Sequence, residues 1–191
     1  RIARTLPDGS VDDTFRYGGP WVHMASVLSP DGGIYVVTSN LKSDLRTTVM
    51  DVIRLRPDGT PDPGFSTEVS GRNYVIGSDI YNSPFIFSMA RQVDGRLLIA
   101  GKFDRVNGAV RRNVARLESD GSLDETFDPG SGPALSSDGS GLGYPVKAMV
   151  LARDGGVYLA GEFDRYNGRV HRVVVRLSGD PVPRLRIGQS S

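Results

Sequence analysis

A twelve-residue phrase returns along this chain at a nearly fixed interval, so the chain must build its core from copies of one small unit. The copies are Arg4-Thr-Leu-Pro-Asp-Gly-Ser-Val-Asp12-Asp-Thr-Phe15, Arg54-Leu-Arg-Pro-Asp-Gly-Thr-Pro-Asp62-Pro-Gly-Phe65 and Arg116-Leu-Glu-Ser-Asp-Gly-Ser-Leu-Asp124-Glu-Thr-Phe127. A fourth begins at Arg176-Leu-Ser-Gly-Asp180. Their arginines lie 50 (54−4), 62 (116−54) and 60 (176−116) residues apart. A second signature, Gly101-Lys-Phe-Asp-Arg-Val-Asn107-Gly108, reappears as Gly161-Glu-Phe-Asp-Arg-Tyr-Asn167-Gly168. From Asp31, Asp94 and Asp154 to the next motif arginine the distances are 23, 22 and 22 residues (54−31, 116−94, 176−154). From the motif phenylalanine to that aspartate they are 16, 29 and 27 (31−15, 94−65, 154−127). Length variation is therefore confined to one connection per unit.

Each unit reads as four short strands. The first is Trp21 to Val27, Phe85 to Arg91 or Val146 to Leu151, closed by an Asp-Gly turn. The second, Ile34 to Val37, Leu97 to Ala100 or Val157 to Ala160, is apolar without alternation, so both of its faces should be covered. Asn107-Gly108 and Asn167-Gly168 supply the positive φ angles of a type I′ turn, expected to lead into third strands at Arg112 to Leu117 and Val170 to Leu177. A further Asp-Gly turn leads to an outer strand ending in the motif phenylalanine. Four-stranded antiparallel sheets at a constant period are the signature of propeller blades. The expected fold is all-β, a partial β-propeller of about three blades. Residues 1–15 would be the outer strands of a preceding or partner blade, 16–65 a degenerate first repeat, 66–127 and 128–180 the second and third, and 181–191 a linker to a following domain.

The pattern Gly-x-Phe-x-x-x-Asn-Gly followed by Arg-Leu-x-x-Asp-Gly-Ser-x-Asp-x-x-Phe resembles the delta-60 repeat, a bacterial β-propeller-like repeat. The resemblance covers residues 1 to about 180. It implies an array within a large secreted or surface-exposed multidomain protein and names no biochemical role. Unit one departs from it, with Thr38-Ser-Asn-Leu-Lys-Ser-Asp-Leu-Arg46 in place of the Gly-x-Phe and Asn-Gly elements. Since a ring normally needs four to eight blades, two completions fit. The remaining blades lie on a longer chain, or identical chains join head to tail and lend Ser10 to Phe15 to a neighbour. The first is expected, because Arg1 begins partway through a strand.

Composition narrows the function classes. The 191 residues carry 23 Lys+Arg against 22 Asp+Glu, a net charge of +1, too little for the diffuse positive field of a nucleic-acid binder. No apolar run approaches the roughly 20 residues that cross a bilayer, so no membrane insertion is expected. With no cysteine and only His23 and His171 as imidazoles, thiolate metal sites and a cysteine nucleophile are excluded. No catalytic residue, metal or cofactor is expected: there is no Gly-x-Ser-x-Gly elbow, His-Glu-x-x-His or phosphate loop.

The motif residues read as structural. Arg4 and Asp12, Arg54 and Asp62, and Arg116 and Asp124 are each eight apart across a hairpin, the spacing of a cross-strand ion pair. Phe15, Phe65, Phe127, Phe103 and Phe163 read as core plugs. Binding is expected on the face where the inter-blade connections and the Asn-Gly loops emerge together, since recognition tends to sit on variable loops of a rigid scaffold. The candidate ligand-binding residues are Trp21, Tyr74, Tyr81 and Tyr144, whose rings suit a protein partner or stacking on a sugar. The expected function is a non-catalytic interaction or structural module. A carbohydrate-binding propeller and an accessory segment of a larger hydrolase are the alternatives.

Overall fold

A computed structural model describes residues 2–20, 22–41, 48–71, 74–76, 79–81, 84–134, 146–171 and 174–177. The described chain is all strand and turn. The first repeat forms strands β1 (Val22–Leu28), β2 (Ile34–Leu41), β3 (Thr48–Leu55) and β4 (Pro61–Ser70), paired antiparallel in sequence order. A hairpin follows, β5 (Tyr74–Ile76) and β6 (Asp79–Tyr81). The second repeat contributes β7 (Phe85–Arg91), β8 (Leu97–Lys102), a hairpin of β9 (Arg105–Val106) and β10 (Ala109–Val110), and β11 (Val114–Leu117). After β12 (Pro133–Ala134), the third contributes β13 (Val146–Leu151), β14 (Val157–Gly161), β15 (Arg165–Tyr166), β16 (Arg169–Val170) and β17 (Val174–Leu177).

The inner strands β1, β7 and β13 stand side by side, β7 between the other two, so the sheets are separate blades fanned about a shared edge. Two cores fill the gaps. One lies between the first and second blades, built on Tyr35, Val52, Phe65, Ile86, Ile99 and Leu117; the other lies between the second and third, built on Leu98, Phe127, Val146, Leu159 and Tyr166. Strand β8 shows why its sequence does not alternate. Leu97 and Ile99 enter the first core and Leu98 and Ala100 the second, all four almost wholly buried. Period-2 geometry sends successive side chains to opposite faces, and a blade between two others needs both to be apolar. In the third blade the expectation fails at Tyr158, which is 42% exposed on the face without a described neighbouring blade.

The Asp-Gly turns are three-residue loops in which only the glycine takes positive φ, +84° at Gly32, +96° at Gly95 and +80° at Gly155. The aspartate carboxylate accepts a backbone N–H two residues on, as Asp31 does from Gly33 (3.2 Å) and Asp154 from Gly156 (3.1 Å). Each inner strand carries a register shift against its partner, at Val22/Ser26, Ile86/Ser88 and Val146/Ala148. At the second, an added Cβ on Gly101 would fall 1.9 Å from the Phe85 carbonyl oxygen, which explains the glycine of the Gly-x-Phe element.

The Asn-Gly turns correct the sequence reading. Asn107 (φ +48°) with Gly108 (+79°), and Asn167 (+50°) with Gly168 (+76°), have the positive angles of type I′ turns. They do not lead directly into the third strand. Each closes a two-residue hairpin that leaves its own blade and adds to the outer part of the preceding repeat: β9 pairs with β4 through Val69 and Val106, and β15 pairs with β12 through Pro133 and Tyr166. Third strands β11 and β17 begin only afterwards. In the first repeat, which lacks these elements, β2 and β3 run directly together from Ile34↔Leu55 to Leu41↔Thr48.

The outer strand also differs from expectation. It is an extended ladder only as β4, with a register shift between Ile53 and Leu55; in the other described motif copies it shrinks to single bridges, Thr5 with Val11 and Leu117 with Leu123. The connection Ser66 to Pro84 is not merely loop, because it contains the end of β4 and the β5–β6 hairpin.

Candidate functional site

The motif triad comes first because it repeats. Asp12, Asp62 and Asp124 each accept a guanidinium from the arginine eight residues earlier: Arg4 Nε to Asp12 (2.8 Å), Arg54 Nη1 to Asp62 (3.1 Å) and Arg116 Nε to Asp124 (2.6 Å). The second carboxylate oxygen accepts from the backbone two residues on, and from the threonine hydroxyl where one is present: Thr14 at 2.9 and 2.5 Å and Thr126 at 2.9 and 2.5 Å. Gly64, which has no hydroxyl, offers Asp62 only its N–H, at 3.1 Å. Arg116 and Asp124 are each 1% exposed, whereas the Arg4 side chain is 39% exposed. Arg116 stacks over Phe127 (4.9 Å) and Arg4 over Phe15 (5.3 Å). Phe65, Phe103, Phe127 and Phe163 are buried and Phe15 half-buried, as core plugs.

Arg54 and Arg176 reach a further carboxylate that sequence reasoning overlooked, the turn aspartates Asp31 and Asp154 (the latter at 2.6 Å). They pass over a glycine to do so; a Cβ on Gly156 would lie 2.6 Å from Arg176 Nη2. In the second repeat Arg96 occupies that glycine's place and binds Glu118 (3.2 Å), Asp94 (3.3 Å) and Asp124 (3.5 Å). Arg116, displaced from the turn, is held wholly inside.

Electrostatics agree with a structural role. Burial pushes the Asp124 carboxyl up, but bonds from Thr126 and Arg116 together outweigh it and hold the group below the usual carboxylate range. Asp12 lies low chiefly through Thr14, and Asp8, Asp58 and Asp120 through Ser10, Thr60 and Ser122. None of these groups is poised near neutrality, as a general acid or base would be. His171 donates its backbone N–H to the Asp164 carbonyl (2.8 Å), while its buried Nε2 meets no partner among the described residues.

Asn107 and Asn167 latch one repeat to the next. Asn107 Oδ1 accepts from Glu68 N (2.9 Å) on β4, its backbone N–H donates to the Glu68 carbonyl (2.8 Å), and its Nδ2 donates to the Gly121 carbonyl (3.1 Å). Asn167 Oδ1 likewise accepts from Gly132 N (2.9 Å) and the Ser131 hydroxyl (3.3 Å). Asn113, at φ +64° and buried, ties the hairpin base: its Oδ1 accepts from Phe103 N (3.2 Å) and its carbonyl from Gly101 N (2.9 Å). The sequence reading did not single it out.

Of the four ligand-binding candidates, Trp21 and Tyr144 lie outside the described residues. For Tyr74 and Tyr81 the backbone alone is described; they stand directly opposite each other in the β5–β6 hairpin. Sequence reasoning passed over a different aromatic group. Phe85 and Phe87, at the start of β7 where the longest connection re-enters the blade, stack at 5.8 Å with ring planes 20° apart. Phe85 is 36% exposed. Lys147, from the neighbouring blade's inner strand, lies over Phe87 (4.9 Å) and faces Glu162 (3.8 Å). Two rings, a cation and an anion from two blades thus meet beside the inner edge. The signal available was the pair of phenylalanines two residues apart, Phe85 and Phe87, on one side of a strand.

Radially placed antiparallel sheets, the second and third tied to the segment before them by an Asn-Gly hairpin, define a β-propeller repeat protein. The chain belongs to the family described as domain of unknown function (DUF5122) beta-propeller, whose model matches residues 29–65, 92–127 and 152–180, together more than half of its length. Each matched segment begins at an Asp-Gly turn of the inner hairpin and runs to the motif or its remnant. No curated protein matches the chain.

Proposed function

We propose that this chain is a non-catalytic interaction module of the delta-60 type, part of a secreted or cell-surface bacterial multidomain protein, binding through the face that carries the inter-blade connections. One observation supports this most: the Phe85–Phe87 pair with Lys147 and Glu162 is assembled from two blades at the entry of a long connection, with an aromatic ring left partly open. A partly exposed ring flanked by a cation and an anion suits recognition, since it brings apolar contact area at little cost in side-chain entropy. Among the described residues, the low carboxylate pKa values and a His171 Nε2 without a partner offer no matched acid and base.

The remaining blades of a longer chain are the expected structural partners. The test is a pull-down and glycan-array comparison of the chain with its Phe85→Ala and Lys147→Ala variants. Loss of the same partner in both supports the reading, and a glycan as that partner selects the lectin-like form. A partner retained by both variants refutes the site. Hydrolytic activity appearing only with flanking sequence would favour the accessory-hydrolase alternative.

A further inference from the structure

The fold gathers arginines that look scattered in sequence. The segments 105–112 and 165–171 hold five arginines and no carboxylate, in a chain whose net charge is only +1. Both are Asn-Gly hairpins, and among the described residues β10 and β16 are the last strands of their sheets. Arg105 and Arg165, sixty residues apart, take the same position and make the same bond, Nη1 donating to the Gly108 carbonyl (2.8 Å) and to the Gly168 carbonyl (3.1 Å). That leaves most of each guanidinium's donors unused. Among the described residues no carboxylate comes within ion-pair distance of Arg105, Arg111, Arg165 or Arg169, and Arg112 has only Asp104, at 3.9 Å. The motif arginines Arg4, Arg54, Arg116 and Arg176, in contrast, each pair with an aspartate of their own repeat.

The two hairpins are neighbours. An added Cβ on Gly132 would lie 2.9 Å from the Arg112 carbonyl oxygen, and the next residue, Pro133, pairs with Tyr166 of the second hairpin. A single strand-like segment therefore separates them, a gap on the order of 10 Å at ordinary strand spacing. The result is two arginine-bearing hairpins side by side on the outer rim, in the second and third repeats, with Val110 and Val170 exposed among the charges at 54% and 65%.

We infer that this rim binds a linear anionic polysaccharide, its carboxylate or sulfate groups taken by the guanidinium forks of successive hairpins. Arginine pairs two-pronged with such groups, and a polymer with regularly spaced charge matches a surface that repeats. A single-stranded nucleic acid fits worse, because base stacking needs exposed rings, whereas in these hairpins Tyr166 is 1% exposed and His171 is half-buried. The side chains differ from the Phe85 group, so the two readings fail separately.

The experiment titrates the whole chain with polygalacturonate and with dextran sulfate across a range of salt. Alongside run Arg112→Gln/Arg169→Gln, the control Arg153→Gln from an exposed turn elsewhere, and Phe85→Ala. The double variant should bind about tenfold more weakly at low salt, with a log–log salt slope shallower by roughly 1 to 2, while Arg153→Gln and Phe85→Ala leave both unchanged. Circular dichroism verifies that each variant is folded. The inference is overturned if neither polymer binds, if Arg153→Gln weakens binding as much as the double variant, or if single-stranded DNA competes equally well. If the arginines serve only to protect short sheet edges from pairing, the polymers do not bind and the double variant self-associates instead.

Discussion

Replacing Asp124 by Asn tests the motif where it is most deeply buried. The substitution keeps the shape and the Thr126 contacts but removes the charge that neutralises Arg116, a guanidinium 1% exposed and 2.6 Å away. Removing one partner of a buried pair costs about 3–5 kcal/mol, because the other charge stays desolvated. Arg96 also loses this partner at 3.5 Å, but it keeps Glu118 and Asp94 and is 32% exposed, which places the expected loss near the lower end, about 3 kcal/mol. Urea unfolding should show a lower midpoint with an unchanged slope. Arg116→Met with Asp124→Leu should recover most of the loss, since an apolar pair leaves no stranded charge. The Arg4–Asp12 pair, with its arginine 39% exposed, should couple more weakly in the same kind of cycle. The sign with pH follows from the depressed carboxyl. The unfolded group titrates near about 4, so the pair's contribution is complete above that value and is lost as pH falls through the lower folded value. The gap between wild type and Asp124→Asn should therefore close below about pH 4. A loss under about 1 kcal/mol, or coupling no larger than that of Arg4 with Asp12, would refute the claim that this pair locks the blade.

Three further outcomes are expected. Asn107→Gly keeps the positive φ but removes the side-chain bonds to Glu68 and Gly121, and should cost about 1–3 kcal/mol, with faster amide exchange in β4 and β9 than in β7 and β8. Gly101→Ala forces a Cβ against the Phe85 carbonyl, so a loss of about 2 kcal/mol or more is expected in thermal unfolding, and an unchanged melting temperature would contradict the bulge geometry. Tyr166 is buried with its hydroxyl unpartnered, and burial, helped by Asp128, pushes that hydroxyl's pKa up. Tyr166→Phe should be neutral or stabilising by up to about 2 kcal/mol, and clear destabilisation in urea would show that the hydroxyl is satisfied.

How much was legible depended on the range of the interaction. Residues eight apart across one turn meet for geometric reasons, so Arg116 and Asp124 were readable as a pair from spacing alone. The positive φ of Asn107 and Asn167 was readable from their turn chemistry. The depth of burial was not, because it depends on Arg96 standing where the other repeats carry Gly33 and Gly156, a difference of one residue that redirects Arg116. Tyr74 and Tyr81 drew attention as aromatics in a variable loop, while Phe85 and Phe87 were hidden in a strand whose pattern looked like core.

Period and turn type belong to the sequence, since a turn's type follows from residues next to one another and sixty-residue self-similarity carries it from unit to unit. Tertiary structure alone decided that each Asn-Gly hairpin leaves its own blade to extend the one before, that Lys147 crosses to a ring on the neighbouring strand, and that arginines far apart in the chain share one rim. The physical reason is that these contacts join different repeats. Their partners are selected by which backbone edges and faces remain unsatisfied after each blade has formed, a property of the packed array and of no single segment.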